Sequence, residues 1–455
     1  MTFTTMNPAT EKILAEYPVM SDSQVEDILR ETDAAFDSWR RVALSDRAEH
    51  LRALATKLRE GEAEYADLIS REMGKPLAQA AGEVEKCAWV CDYYADNAAE
   101  FLADTPVESD ASQSFVTYQP LGVVLAIMPW NFPFWQVMRF AAPTITAGNT
   151  GILKHAPNVT GCAMALEELF KAAGYPDHVF RTLVVDVPAV ERVIRDDRIK
   201  AVTLTGSNRA GEAVAAAGGA TIKKTVLELG GSDPSVILAD ADLGAAVSAC
   251  ATSRLLNAGQ SCIAAKRLIV VDEVREEFEA QLVEQMSRAV VGDPSNPATT
   301  MGPLARADLR DNLHQQVTES MANGARALLG GELPAPPGFF YPVTILTDVG
   351  PGMPAYEEEL FGPVASIISV ADEAEAIRVA NDTIYGLSAS VYTRDIQRGQ
   401  EIATEWLDAG ACFVNTFSRS DPRLPFGGIK QSGYGRELSP FGIREFVNVK
   451  TVWVA

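Results

Sequence analysis

Histidine is scarce in this chain: His50, His155, His178 and His314 are scattered over 455 positions. Spread so thinly, they provide poorly for a multi-histidine metal centre or a Ser-His-Asp constellation. Cysteine is also sparse, at positions 87, 91, 162, 250, 262 and 412, mostly among apolar neighbours. That argues against a disulfide framework. Cys87 and Cys91 could share a helix face, but with no second cysteine pair or nearby histidine they read as core, and no metal is expected. Basic residues are few, 39 Lys plus Arg against 61 Asp plus Glu, a formal charge of −22. A surface of that sign repels phosphate backbones, so nucleic acid is not an expected partner. Pro, Gly or charge breaks every apolar stretch before it could span a bilayer. The start, Met1-Thr-Phe-Thr-Thr-Met-Asn7, has no basic-then-apolar leader pattern, and the expected location is cytoplasmic.

What the chain does have is apolar content, 47% of residues, enough at this length for two or three domain cores. From Ser21 to about Glu100 the apolar spacing is helical, with Val25, Ile28 and Leu29 on one face. Ser114 to Met128 reads as two strands about a turn at Pro120-Leu-Gly122. Short apolar runs then alternate with helices: Gly151–Leu153, a helix over Cys162–Ala173, Phe180–Val185, a helix near Ala189–Arg195, Ala201–Leu204, a helix from Arg209, and Thr225–Leu227. Such alternation predicts right-handed βαβ crossovers and a parallel sheet covered on both faces. A second α/β region starts at Ser235, carries a helix over Leu243–Leu256 and a strand over Leu268–Val271, and continues through Phe278–Val291. Pro334–Gly338 and Pro351–Pro354 mark surface loops.

Several residues could carry chemistry. Cys262 follows Gly259, Gln260 and Ser261 at the end of a helical stretch, where small neighbours leave room for a ligand to reach the sulfur; the competing reading is a buried small hydrophobe. Glu228 stands in an apolar strand ended by Gly230 and Gly231, where desolvation would raise its pKa and suit a general base. It could equally face water on an edge strand. Gly206, Ser207 and Gly211 open a helix after a strand, like a dinucleotide-binding turn, and Glu228, 22 residues beyond Gly206, could then be a ribose-binding acid. Asn131, between Trp130 and Phe132, could donate to a developing oxyanion or merely cap a turn. Lys154 ends a strand, where ligands of parallel sheets bind, or is simply solvated.

Asn131, Lys154, Gly206-Ser207, Glu228-Leu-Gly-Gly231, Gly259-Gln-Ser-Cys262, Glu359-Leu-Phe-Gly-Pro-Val364 and Pro425-Phe-Gly-Gly-Ile-Lys-Gln-Ser-Gly433 stand in the order and rough spacing of the aldehyde dehydrogenase superfamily. The chain resembles that family over essentially its whole length. Through Met128 to Phe140, Gln260 to Arg267 and Ser420 to Phe426 it is most like short bacterial succinate-semialdehyde dehydrogenases.

The resemblance implies an α/β fold with a Rossmann-like cofactor domain (1–101 and 121–230), an α/β catalytic domain (231–432) and a β-ribbon oligomerisation element (102–120 and 433–455), giving a homodimer or homotetramer. It makes Cys262 the nucleophile, Asn131 an oxyanion donor and Glu228 the base that activates water, with Glu437 a second acid. It places NADP or NAD against Trp130, Lys154, Pro157, Gly206, Ser207, Leu229, Glu359 and Phe361. Pro157 stands where many NAD-preferring relatives carry a Glu that would repel a 2′-phosphate. For the aldehyde, it implies that Arg139 holds a distal carboxylate with help from Ser420, and that Trp135 walls the tunnel; otherwise Arg139 pairs with a surface acid. Another short aldehyde, a cysteine-dependent thioesterase or a non-catalytic scaffold are the rival readings. Ile263 and Ala264 leave no second thiol beside Cys262 for a vicinal disulfide.

Overall fold

The helical spacing of the first hundred residues folds as Asp22–Trp39, Leu44–Glu60, Glu62–Met73 and Leu77–Phe101 in a computed structural model describing residues 1–455. Ser21 starts the first helix with a capping box: its hydroxyl accepts from the Gln24 N–H while the Gln24 side chain accepts from the Ser21 N–H. Cys87 and Cys91 both lie on the buried face of the fourth helix, as core residues. Ahead of them the first residues form a hairpin, Thr2–Asn7 with Lys12–Pro18.

The alternating segments build a six-stranded sheet in the order Gly433–Tyr434, Lys224–Glu228, Ile199–Thr205, Val123–Met128, Thr150–His155, Phe180–Thr182. All pairings are parallel except the first. Apolar side chains cover both faces, Val124 and Leu153 in one cluster and Val202 and Leu204 in another. From Val123–Met128 the chain winds outward through two strands, then returns to lay Ile199–Thr205 on the other side. The strand order therefore reverses between Val123–Met128 and Ile199–Thr205, and their carboxyl ends open the crevice in which such sheets bind ligands. Asn131 follows one of these strands and Gly206-Ser207 the other.

A second sheet, ordered Arg326–Leu329, Thr344–Thr347, Val364–Val370, Arg267–Val271, Pro234–Ile237, Ser388–Tyr392, Ala411–Val414, is parallel apart from its first pairing. It has its own core, around Val236, Leu268, Ile367 and Val391. The third sheet pairs Gln113–Pro120 with Val447–Val454 and adds Thr105–Pro106. Residues 433–446 do not join that ribbon: Gly433–Tyr434 extends the first sheet, and the helix Ser439–Glu445 buries Ile443 in the first sheet's core.

Candidate active site

Helix Leu243–Leu255 gives way to a 3₁₀ turn, Leu256–Gly259, and Cys262 follows ahead of strand Arg267–Val271. Asn257, Ala258 and Gly259 are all left-handed, with φ of 56°, 53° and 73°. At alanine that conformation costs about 1 kcal/mol, and neighbours hold it in place. Asn257 Nδ2 donates to the carbonyls of Asn131 at 2.7 Å and Gln260 at 3.1 Å. A Cβ on Gly259 would run into the Gly362 carbonyl, so this approach of two backbones requires glycine. The turn sets Cys262 on the walls of two cavities at once, of about 290 and 230 Å³. Burial pushes its thiol up to about 12, against the opposing pull of Lys266 and Arg139, so the resting sulfur is protonated.

Asn131 shares the smaller cavity's wall with Cys262. Gln136 Nε2 donates to its Oδ1 at 2.9 Å, which turns Nδ2 towards the Gln260 carbonyl at 3.0 Å and leaves one amide N–H unbonded. His155 braces the same loop. Its Nε2 lies 2.9 Å from the Pro133 carbonyl while Nδ1 accepts from the Ala156 N–H at 2.9 Å, and burial lowers its pKa to about 4, so the ring stays neutral. Glu83 accepts the N–H groups of Phe134 and Trp135 at 2.9 and 3.0 Å and pairs with buried Lys75, which donates to the Asn131 carbonyl at 3.1 Å. Glu83→Ala leaves that lysine unpaired and helix Trp135–Thr146 uncapped. It is expected to cost about 3 kcal/mol in chemical denaturation; unchanged stability would contradict this role.

The smaller cavity brings together Trp130, Gly206, Ser207, Leu229, Glu359 and Phe361. Trp130 and Phe361 meet edge-on, centroids 5.8 Å apart. Helix Asn208–Ala220 starts at this wall, with the Ser207 hydroxyl accepting from the Ala210 N–H at 3.4 Å. Glu359 Oε1 takes the Gly231 N–H at 3.2 Å and lies 3.1 Å from Lys266 Nζ. Lys154 and Pro157 are not on this wall. Lys154 is buried at the end of the neighbouring strand without an acidic partner, its ammonium pKa lowered by desolvation, and Pro157 is exposed on the turn beyond. A groove at the sheet's switch point, first-turn amides and an uncompensated buried cation together fit a dinucleotide.

The larger cavity is lined by Trp135, Arg139 and Ser420 along with Cys262, Phe417 and Phe426. Arg139 is neither a free cation nor paired to a surface acid. It forms a buried ion pair with Glu437, sits 4.5 Å from the Phe426 ring centroid and donates to Thr205 Oγ1 at 3.3 Å. Glu228 closes strand Lys224–Glu228, which has a neighbour on each side, so it does not face water. Both its carboxylate oxygens lack hydrogen-bond partners. Burial and the nearby Glu437 hold its carboxyl well above the usual range. It lines neither cavity: its Oε1 rests against Gly427, where a Cβ would come within 2.7 Å. That place beside Arg139 and Glu437 argues against a ribose-binding role. Lys86, unmarked by any motif, also lines the larger cavity and donates to Ser420 Oγ at 2.7 Å. The two residues are 334 positions apart in sequence, so no local pattern could have joined them.

The model of the aldehyde dehydrogenase family matches residues 1–452. A probable NADP(+) succinate-semialdehyde dehydrogenase of Synechocystis sp. (strain ATCC 27184 / PCC 6803 / Kazusa) is 49% identical over 455 residues, covering 100% of both chains. An NAD(P)+ succinate semialdehyde dehydrogenase of Escherichia coli (strain K12) is 47% identical over 98% of this chain and 97% of its own. The crystal structure of succinic semialdehyde dehydrogenase from Streptococcus pyogenes in complex with NADP+ superposes with a TM-score of 0.97 at 39% identity, covering 99% of each chain.

Proposed function

Because the chain belongs to the aldehyde dehydrogenase family, we propose that it oxidises succinate semialdehyde to succinate with NADP or NAD, through a thiohemiacetal and then a thioester on Cys262. The observation that carries this reading is the position of one thiol on the walls of both a groove at the sheet's switch point and a second cavity lined by cations. The relatives' names supply the acid-bearing aldehyde and the cofactors.

Sulfur gives its proton to solvent and adds to the aldehyde carbon, and the charge that develops on oxygen is met by the Asn131 side-chain N–H and the Cys262 backbone N–H. A nicotinamide dinucleotide, when bound, would supply the hydride acceptor. Ser207, Gly206 and the first amides of helix Asn208–Ala220 suit its pyrophosphate. Lys154 and Glu359 suit its ribose hydroxyls, and Trp130, Leu229 and Phe361 flank it. Pro157 offers no carboxylate to repel a 2′-phosphate, which supports NADP. Glu228, with two unbonded oxygens, would turn from its resting place behind Gly427 to take a proton from the water that attacks the thioester carbon; sulfur leaves, takes up a proton, and the acid is released. Ser420 and Trp135, on the wall of the larger cavity, suit the end of the tunnel that receives the distal carboxylate, whereas Arg139, there by resemblance, is already paired with Glu437.

The buried Arg139–Glu437 pair favours one rival, oxidation of an uncharged short aldehyde. A steady-state comparison of succinate semialdehyde with butanal, each with NADP and NAD, separates the two. The acid is expected to win in kcat/KM by about 100-fold, and butanal matching it would overturn the acid-bearing substrate. Absence of any reduced cofactor would favour a thioesterase. The edge strand Val447–Val454 exposes Val449 by 62% and Trp453 by 53%, which supports pairing with a second copy as homodimer or homotetramer. No helix is long and apolar enough to cross a membrane. Six unpaired cysteines support a reducing, cytoplasmic setting.

A further inference from the structure

Four cations line the larger cavity, and their partners set them apart. Lys75 is tied to Glu83 and Arg139 to Glu437, while Arg419 is exposed. Lys86 is half-buried and forms no ion pair. Its Nζ donates to Ser420 Oγ at 2.7 Å and stands 4.3 Å from the Trp135 ring centroid. We propose that Lys86, together with Ser420, binds the distal carboxylate of the substrate and is the main determinant of selection for acid-bearing over uncharged aldehydes. This rests on the acid-bearing substrate proposed above and names the residue that reads it.

The physical argument is one of uncompensated charge. A guanidinium already neutralised by a buried carboxylate gains little from a second anion unless the first pair is broken, and breaking it would strand Glu437. Lys86 has no acid in contact: the nearby Asp421 and Glu83 carboxylates are held by Arg423 and Lys75. Its aliphatic stem and the Trp135 face keep it partly dry, which strengthens a charge-assisted hydrogen bond to a carboxylate oxygen. Burial, with Arg139 adding to it, lowers the Lys86 ammonium to about 8, so it is still charged at neutral pH. The Ser420 hydroxyl accepts from Lys86 and keeps its own proton to donate to the same carboxylate.

The test compares kcat/KM for succinate semialdehyde and for butanal in wild type, Lys86→Gln and Lys86→Arg. The ratio of acid to uncharged aldehyde is expected to fall by about 30-fold in Lys86→Gln, mainly through KM, and to return to within about 3-fold of wild type in Lys86→Arg. Inhibition by succinate against varied butanal should weaken by a similar factor, and Lys86→Met serves as a second neutral variant if Lys86→Gln is unstable. A ratio in the neutral variants within about 3-fold of wild type, or an equal loss for both aldehydes, overturns the role of Lys86 while leaving the acid-bearing substrate intact. A wild type that does not distinguish the two aldehydes overturns the substrate reading and Lys86 with it.

Discussion

Cys262→Ala is expected to lower kcat by about 10,000-fold or more for every aldehyde, with dinucleotide binding retained. The side chain lost is a small thiol in a turn whose shape comes from elsewhere: left-handed Asn257 and Ala258, the bonds of Asn257 to Asn131 and Gln260, and the close pass of Gly259 against Gly362. The groove residues Trp130, Ser207, Glu359 and Phe361 keep their places without it. What disappears is the one protein atom that forms a bond to the substrate carbon. Steady-state cofactor reduction, set beside fluorescence titration of cofactor binding, checks both halves. Turnover within about tenfold of wild type would mean that the carbon is attacked by something else.

Glu228→Gln has the next largest effect, and a different signature. The substitution leaves sulfur, oxyanion donors and groove intact, so one equivalent of reduced cofactor per site is expected to form rapidly. Turnover then slows by about 100- to 10,000-fold, because no base activates the water that should cleave the thioester. The sign of the pH dependence follows from the environment. Burial, and the Glu437 carboxyl beside it, hold the Glu228 carboxyl protonated well above its usual range. A protonated acid cannot accept a proton from water, so wild-type deacylation should rise with pH as Glu228 ionises, and Glu228→Gln should lose that rise. Pre-steady-state mixing across a pH series reads burst and slow phase together. A variant with no burst would assign Glu228 to the first half of the reaction; one with wild-type turnover would remove it from the mechanism.

Both residues were legible in the sequence because their neighbours are unusual for their kind: a cysteine among Gly259, Gln260 and Ser261, a glutamate inside an apolar strand ended by two glycines. The parallel sheet was legible too, since strands buried on both faces leave continuous apolar runs. The hairpin Thr2–Asn7 with Lys12–Pro18 was not, because a short polar hairpin that is half exposed carries little alternation. Nor were the strands and helices between about residue 291 and Val447, where most elements are short and loops rich in proline and glycine interrupt them. Contacts made across the fold were the least legible. Arg139 pairs with Glu437, and Lys86 meets Ser420 from a helix on which it is only half-buried. In each case the chemistry of a cation depends on an acid or hydroxyl that only tertiary packing brings near. Glu228 adds a similar lesson, for its strand position was readable but its place behind Gly427, off both cavity walls, was not.

Acylation of Cys262 is the step from which the rest follows. Wild-type enzyme turning over succinate semialdehyde with NADP, quenched in acid and digested, should yield the peptide bearing Cys262 heavier by one succinyl group in thioester linkage, with Glu228→Gln accumulating more of it. Succinate forming while that peptide stays unmodified, or a succinyl group found on a different residue, would contradict it.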